Sequence, residues 1–305
     1  MKDPTPLTEG ATIGLVAPSS PFPICELAPC LDAIISLGYR YLLGESVLSC
    51  HHGYLSGSDQ IRANDLNTMF RSRMVDAIFC MRGGFGGSRI LEYLDYDGIG
   101  THPKPFIGYS DATAFHLVFH RNCDLVTFHG PMVCSNMAKD FDPYSKTSLL
   151  EALRMPKQLS FHNPDSVAMY TIIPGNCKGR IIGGCLSLVT ACIGTFYQPD
   201  FTDKVLFLED IGETIPRVDR MMQQLKHAGI LSKVAGIALG AFTDCENPYD
   251  SSYGLMDFLE EFFHDYEKPV LANIYSSHKK PMGTIPFGTI CELDASAGSL
   301  TFFYE

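Results

Sequence analysis

The chain has no tryptophan, no CxxC pair among its eleven cysteines, and no surplus of basic residues: 23 Lys and Arg stand against 34 Asp and Glu, a formal net charge of −11. Each absence removes a class of function. Without a basic excess to neutralise phosphates, a general nucleic-acid binder or an anionic-membrane binder is disfavoured. A small cationic or zwitterionic substrate remains compatible. No apolar run approaches the about eighteen residues of a membrane span. Scattered, odd-numbered cysteines suit reduced thiols better than a disulfide framework or a zinc site. The opening "MKDPTPLTEGATIGLVAPSSP" lacks the positive region and long apolar core of a signal peptide, so a cytoplasmic location is expected.

What is present is an ordinary globular composition, with 46% hydrophobic and 19% charged residues over 305 positions. That length suffices for two domains of usual size or one large one. The first half alternates strand and helix signals. "ATIGLVAPSS", "VDAIFCMRGG" and "KPFIGYS" read as strands; "ICELAPCLDAIISLGY", "SDQIRANDLNTMFRS" (with Ser58 as cap) and "GSRILEYLD" read as helices. This rhythm predicts an α/β fold, a parallel sheet covered by helices on both faces, with functional loops at the strands' C-terminal ends. Prolines and polar residues then interrupt the pattern. We expect an N-terminal α/β domain over 1–155, a linker over 156–164, and a smaller strand-rich domain over 165–305. Within the latter, "RVDRMMQQLKHAG" reads as a helix, and the end of the chain as a hairpin around Ala295 to Gly298.

The segment "KPFIGYSDATAFHLVFH" places Ser110 where a strand turns directly into a helix. One reading is a helix cap, a role serine often fills. The other is a nucleophile projecting from a sharp elbow. A nucleophile needs a base, an acid to orient that base, and N–H donors for the oxyanion. Of the histidines, His116 and His120 lie on the following helix and read as structural, and His51-His52 lack partners at metal-ligand spacing. His129 ends a strand-like run, and His278 sits in the loop "SSHKKPMGTIPFG", the better place for a base. Glu209 follows an apolar strand in "VLFLEDIGE"; Asp210 is its competitor, facing the other way. The loop "MRGGFGGS" offers unobstructed backbone N–H groups but matches neither common glycine-rich nucleotide motif.

Together these residues resemble the serine LD-carboxypeptidases and their relatives, the microcin C self-immunity peptidases. The resemblance spans nearly the whole chain, through "IGLVAPSSP", "YLSGSDQIRANDLNTMF", "AIFCMRGGFGGSRILEYLD", "KPFIGYSDATAFH", "TFHGPM", "GRIIGGCLSLV", "FLEDIGETIPRVDRMMQQL" and "SSHKKPMGTIPFG", in that order. It implies Ser110 as nucleophile, Glu209 as triad acid and His278 as base, meeting at the interface of two domains. The N–H of Asp111, with Gly83 or Gly84, would then hold the oxyanion, while Arg82 and Arg217 are candidates to read a substrate's terminal carboxylate. The implied reaction cleaves the L–D bond of a murein tetrapeptide and releases terminal D-alanine, needing neither metal nor organic cofactor; a homodimer is also implied. The alternatives are hydrolysis of a peptidyl- or aminoacyl-nucleotide amide, for which the missing Trp removes the usual base-stacking residue, and a non-catalytic peptide-binding protein on the same fold. Two departures from the family pattern bear on substrate preference: Cys185 stands where Asn is frequent, and Ser277 where Gly frequently precedes the base.

Overall fold

In the computed structural model, which describes residues 1–165 and 167–305, the alternating elements fold onto two sheets. In the first, β1 (Thr12–Val16), β2 (Arg40–Leu43), β3 (Ala77–Cys80), β4 (Phe106–Gly108) and β5 (Thr127–His129) run parallel in the order β5-β4-β3-β1-β2. The order reverses at β1, so the crevice beyond the carboxyl ends of β1 and β3 is where such a sheet receives a ligand. Between and after these strands come α1 (Leu27–Ser36), α2 (Asp59–Arg71), α3 (Tyr96–Thr101), α4 (Thr113–Cys123) and α5 (Pro143–Leu153).

Strand alternation explains why both faces are covered. Val16, Ile78, Cys80 and Phe106 pack with Leu66 and Phe70 of α2 and Phe115 and Phe119 of α4. Ile13, Leu15, Phe79 and Ile107 pack on the opposite side with Ile34 of α1 and Leu149 of α5. Ser58 does cap α2, its hydroxyl accepting from the Ile61 N–H at 3.3 Å.

The second sheet is built from β6 (Gln158–Phe161), β7 (Tyr170–Ile173), β8 (Asn176–Cys185), β9 (Val205–Ile211), β10 (Gly236–Thr243), β11 (Val270–Ile274), β13 (Ile290–Asp294) and β14 (Ser299–Phe303), in the order β6-β14-β13-β8-β9-β10-β11-β7. Its centre, β8 to β11, is parallel; β13 and β14 form the expected hairpin. The helix α6 (Leu186–Ala191) follows β8, and α7 (Ile215–His227) lays Val218, Met222 and Leu225 on one face of the sheet.

Two expectations are corrected. The stretch 156–164, read as linker, contains β6, because Leu159 and Phe161 alternate toward the interior and pair with β14. "GSRILEYLD" forms only 3-10 turns over Gly87–Tyr93, entered through a left-handed Gly86, and the α-helix begins afterwards at Tyr96, capped by Asp95. A third feature went unread: β12 (Ile285–Phe287), from the C-terminal half, adds antiparallel to β5 and makes the first sheet six-stranded.

The two sheets meet through α4. The Thr113 hydroxyl accepts from the Cys185 N–H at 3.0 Å, and a methyl group on Gly184 would lie 2.4 Å from that hydroxyl. Gly184 also has φ of 132°, a conformation open to glycine alone. Gly184→Ala should therefore destabilise the protein by about 2–3 kcal/mol, read as a lower urea midpoint; an unchanged midpoint would refute this contact.

On the same helix, burial pushes His116 and His120 down to about 4. The unfolded imidazoles titrate near ~6.5, so the unfolded state takes up protons first as pH falls. Stability contributed by these neutral rings is full above about pH 6.5 and is lost toward pH 4, for fully buried His116 on the order of 3 kcal/mol. Urea midpoints at pH 7.5 and pH 5 should differ in that direction; equal midpoints would refute it.

Candidate active site

The chain leaves β4 at Gly108 and reaches Ser110 with φ of 62°, in the left-handed region that costs a non-glycine residue about 1–2 kcal/mol. The serine makes no capping bond: neither the 3-10 turn Ser110–Ala112 nor α4 carries a side-chain cap. The strained corner is an elbow. Gly108 permits it, since a methyl there would lie 2.8 Å from Ala112 Cβ.

The glycine loop after β3 closes against this corner. A methyl on Gly83 would lie 2.8 Å from Ser110 Cβ and 2.9 Å from its Oγ. The Ser20 hydroxyl accepts from the Phe85 N–H at 3.0 Å, and Arg62, wholly buried, donates to the carbonyls of Pro18 and Gly86 at 2.6 and 2.8 Å. The Asp111 carboxylate accepts from the Gly87 N–H at 2.7 Å and the Ser19 hydroxyl at 2.5 Å. Burial raises the Asp111 pKa, and these two donors oppose the rise. Among the described residues, the backbone N–H groups of Gly83, Gly84 and Asp111 have no acceptor. Ser19, Ser20 and Arg62 were not singled out from the sequence. The signal for the two serines was the small-residue turn "APSS", which belongs at the reversal point of the sheet.

From the other sheet, β9 delivers Glu209, whose side chain is 0% exposed. The His278 Nδ1 donates to its Oε2 at 2.7 Å, and the His278 backbone N–H approaches the same oxygen at 3.3 Å. With Nδ1 donating, Nε2 is the lone-pair nitrogen; it bonds to none of the described residues. The imidazole packs edge-on against Tyr109 at 4.9 Å, the residue before Ser110. Burial raises the Glu209 pKa, opposed by the hydrogen bond and charge of His278.

Asp210 takes no part in this pair. It accepts from the Ser187 N–H at 2.8 Å and the Cys185 thiol at 3.3 Å, on the opposite side of β9. Cys185 is the cross-strand neighbour of Glu209, and burial drives its thiol well above its ordinary range, keeping it neutral. His129 is buried and has no carboxylate bonded behind it; burial holds it well below the ordinary imidazole range. Half-buried Arg82 donates to the Pro21 carbonyl at 3.2 Å, whereas Arg217 is 61% exposed and pairs with Glu213 at 3.4 Å. His51 and His52 stack on each other at 3.7 Å, and no group of three or more His, Cys, Asp or Glu among the described residues is arranged to hold a metal ion.

Family models described as LD-carboxypeptidase N-terminal domain and LD-carboxypeptidase C-terminal domain match residues 13–130 and 178–293. The chain belongs to the LD-carboxypeptidase family. A probable murein peptide carboxypeptidase of Bacillus subtilis is 37% identical over 288 residues, covering 93% of this chain and 89% of the relative. The solved structure of a muramoyltetrapeptide carboxypeptidase from Oxalobacter formigenes superposes with a TM-score of 0.85 at 25% identity, covering 96% of this chain and 98% of that one. A microcin C7 self-immunity protein, solved with aspartyl sulfamoyl adenosine, gives a TM-score of 0.88 at 25% identity, covering 99% and 98%.

Gly83 offers a direct test of whether the glycine loop holds an oxyanion. Gly83→Ala should lower turnover by about 100-fold, the scale of one displaced oxyanion donor, because its methyl, 2.8 Å from Ser110 Cβ and 2.9 Å from Oγ, forces the loop and the elbow apart. Full activity in a folded variant would show that the loop does not serve the reacting carbonyl.

Proposed function

We propose that this member of the family is a serine carboxypeptidase that cleaves the L–D peptide bond of a murein tetrapeptide and releases D-alanine in the cytoplasm. The observation that carries the reading is the Glu209–His278 pair, closed at 2.7 Å and seated against Tyr109, beside a left-handed Ser110.

In this mechanism His278 Nε2 removes the Ser110 proton as Oγ attacks the carbonyl carbon. Glu209 keeps Nδ1 protonated and stabilises the imidazolium. The developing oxyanion is received by the N–H of Asp111 and that of Gly83 or Gly84, which find no acceptor among the described residues. Collapse of the tetrahedral intermediate expels D-alanine, whose amine takes the proton from His278. Water then attacks the acyl-serine with the same imidazole as base, releasing a tripeptide and regenerating Ser110. Arg82 is the better candidate for the terminal carboxylate: it lies next to Gly83, and its only bond among the described residues is to a neutral carbonyl, whereas Arg217 already has an acidic partner. A substrate bearing both ammonium and carboxylate groups also suits a chain of net charge −11 better than a polyanion does.

Resemblance to the microcin C7 self-immunity protein keeps a second amide class in view, so the test uses both. Purified protein incubated with L-Ala-γ-D-Glu-meso-diaminopimelyl-D-Ala should release D-alanine, and should leave an aspartyl sulfamoyl adenosine intact. Ser110→Ala should reduce turnover by about four to six orders of magnitude with the fold unchanged. D-alanine release by the variant above a tenth of the parent rate would remove the nucleophile assignment; cleavage of only the nucleotide would replace the substrate.

A further inference from the structure

The end of the first sheet away from the elbow carries a concavity of its own. Strands β1 to β4 all begin at it: Ala11, Arg40, Asp76 and Lys104 lie at or just before their first residues. With the chain that precedes β1 and the turn that follows α2, they enclose a groove of about 670 Å³. That volume suits a small molecule and exceeds what one inorganic anion fills. Ser110 follows the opposite, carboxyl end of β4. The height of the sheet, about 15 Å for a strand as long as β1, therefore separates this groove from the crevice of the candidate active site.

In a chain of net charge −11 this groove is basic. Arg40, Arg71, Arg73 and Lys104 line it against two carboxylates, Glu9 and Asp76. Asp76 is partly answered by the backbone, its Oδ2 accepting from the Thr12 N–H at 2.8 Å. Half-buried Lys104 donates to the carbonyl of Met69 at 2.8 Å and to that of Ser72. These carbonyls close α2, whose negative end would otherwise repel an anion. Burial pushes the ammonium down to about 8, which leaves it charged at neutral pH, and two of its three N–H groups are used.

The three guanidiniums are exposed. Arg71 is ion-paired with Asp95, and Arg40 donates through Nε to the Gly10 carbonyl at 3.0 Å. The Nη groups of Arg40 and the whole guanidinium of Arg73 meet no acceptor among the described residues. Uncommitted guanidinium forks match the paired oxygens of phosphate or carboxylate. Four cations against two carboxylates favour a dianion, and a phosphate monoester carries about −1.5 to −2 charges at neutral pH.

The rest of the lining limits what that phosphate is attached to. Glu9 and the hydroxyls of Thr5 and Thr8 are suited to bond hydroxyl groups. Among the described residues no Phe, Tyr or Trp lines the groove, so a nucleobase would find no ring to stack on. We propose that this groove is a second ligand site, which binds a phosphorylated sugar: Arg40, Arg73 and Lys104 hold the phosphate, and Glu9 with the two threonines holds the sugar hydroxyls. The site stands independently of the reaction assigned to Ser110.

Calorimetric titration of the full chain at neutral pH and low salt tests it. The probes are the two glucose monophosphates (esterified at the anomeric or the primary hydroxyl), inorganic phosphate and glucose. At least one ester should bind about 10-fold more tightly than inorganic phosphate, and glucose should give no heat. Arg40→Ala and Arg73→Ala replace exposed side chains, and each should weaken the ester about 10-fold, the scale of one charged hydrogen bond, with the thermal midpoint unchanged. Arg82→Ala, in the crevice, should leave the ester's affinity as it is in the parent. No heat from either ester, or parental affinity in both groove variants, overturns the site. Inorganic phosphate binding as tightly as the esters overturns the sugar. Loss of binding in Arg82→Ala alone moves the ligand to the crevice and overturns the groove as well.

Discussion

Burying the carboxylate of Glu209 is the constraint around which the rest is arranged. An unpaired ionised carboxylate in an apolar interior would simply take up a proton, so its presence at the end of β9 requires a partner from elsewhere in the chain. That partner is His278, on a loop that must leave β11 in the second sheet and pass the carboxyl end of β5 in the first. The loop is held at both ends. It starts from β11, and it finishes as β12, zipped antiparallel to β5 with Ile285 opposite His129. Along the way the Met282 and Thr284 N–H groups donate to Ser145 and Ser148 of α5 at 2.7 and 2.9 Å. The exchange of β12 into the first sheet is thus what makes a carboxylate of one sheet reachable by an imidazole lying against the other.

The Ser110 half of the site is built by strain and close approach instead. Ser110 is held in a conformation a free chain would leave, and only a surrounding that over-determines it can keep it there. Asp111 does this work. Its carboxylate ties the helix start to β1's loop through Ser19 and to the glycine loop through Gly87, so the corner is bonded to both walls of the crevice. Arg62 plays the reciprocal part, binding the carbonyls of the same two loops while ion-paired with Asp59. A buried acid and a buried base, neither touching the reacting atoms, hold the loop whose N–H groups face the elbow.

Much of this was legible in the sequence where the signal was local. The corner at Ser110, the glycine loop and the apolar run into Glu209 each depend on a few consecutive residues, and strand–loop–helix order decides which sheet edge they reach. What escaped depended on distant packing. β6 is four residues with only Phe161 buried, following Pro156, and nothing local distinguishes it from a polar crossover. The helical spacing in "GSRILEYLD" is real, but the glycines at 86 and 87 deny it a regular first turn, leaving Ile90 and Leu91 to reach the core through 3-10 geometry. Asp111 was read for its N–H alone, because its carboxylate's partners lie 24 and 92 positions away. His129 was weighed as a rival base; that it is sealed from solvent follows from Phe207 and Phe287, which no reading of "VTFHGPM" contains.

Helix α4 finally explains how two half-sites on separate sheets keep register. Its first residue, Thr113, is bonded to Cys185, the strand neighbour of Glu209; one turn later, His116 is bonded to the carbonyl of Gly108, at the foot of the elbow. One rigid turn therefore sets the distance between the strand that carries Glu209 and the corner that carries Ser110. Neutral His116 is needed for this. It donates from Nε2 to a carbonyl and accepts at Nδ1 from Thr127, a pattern only the uncharged ring can make. Burial, by pushing His116 down to about 4, keeps the ring neutral and the spacer intact at neutral pH.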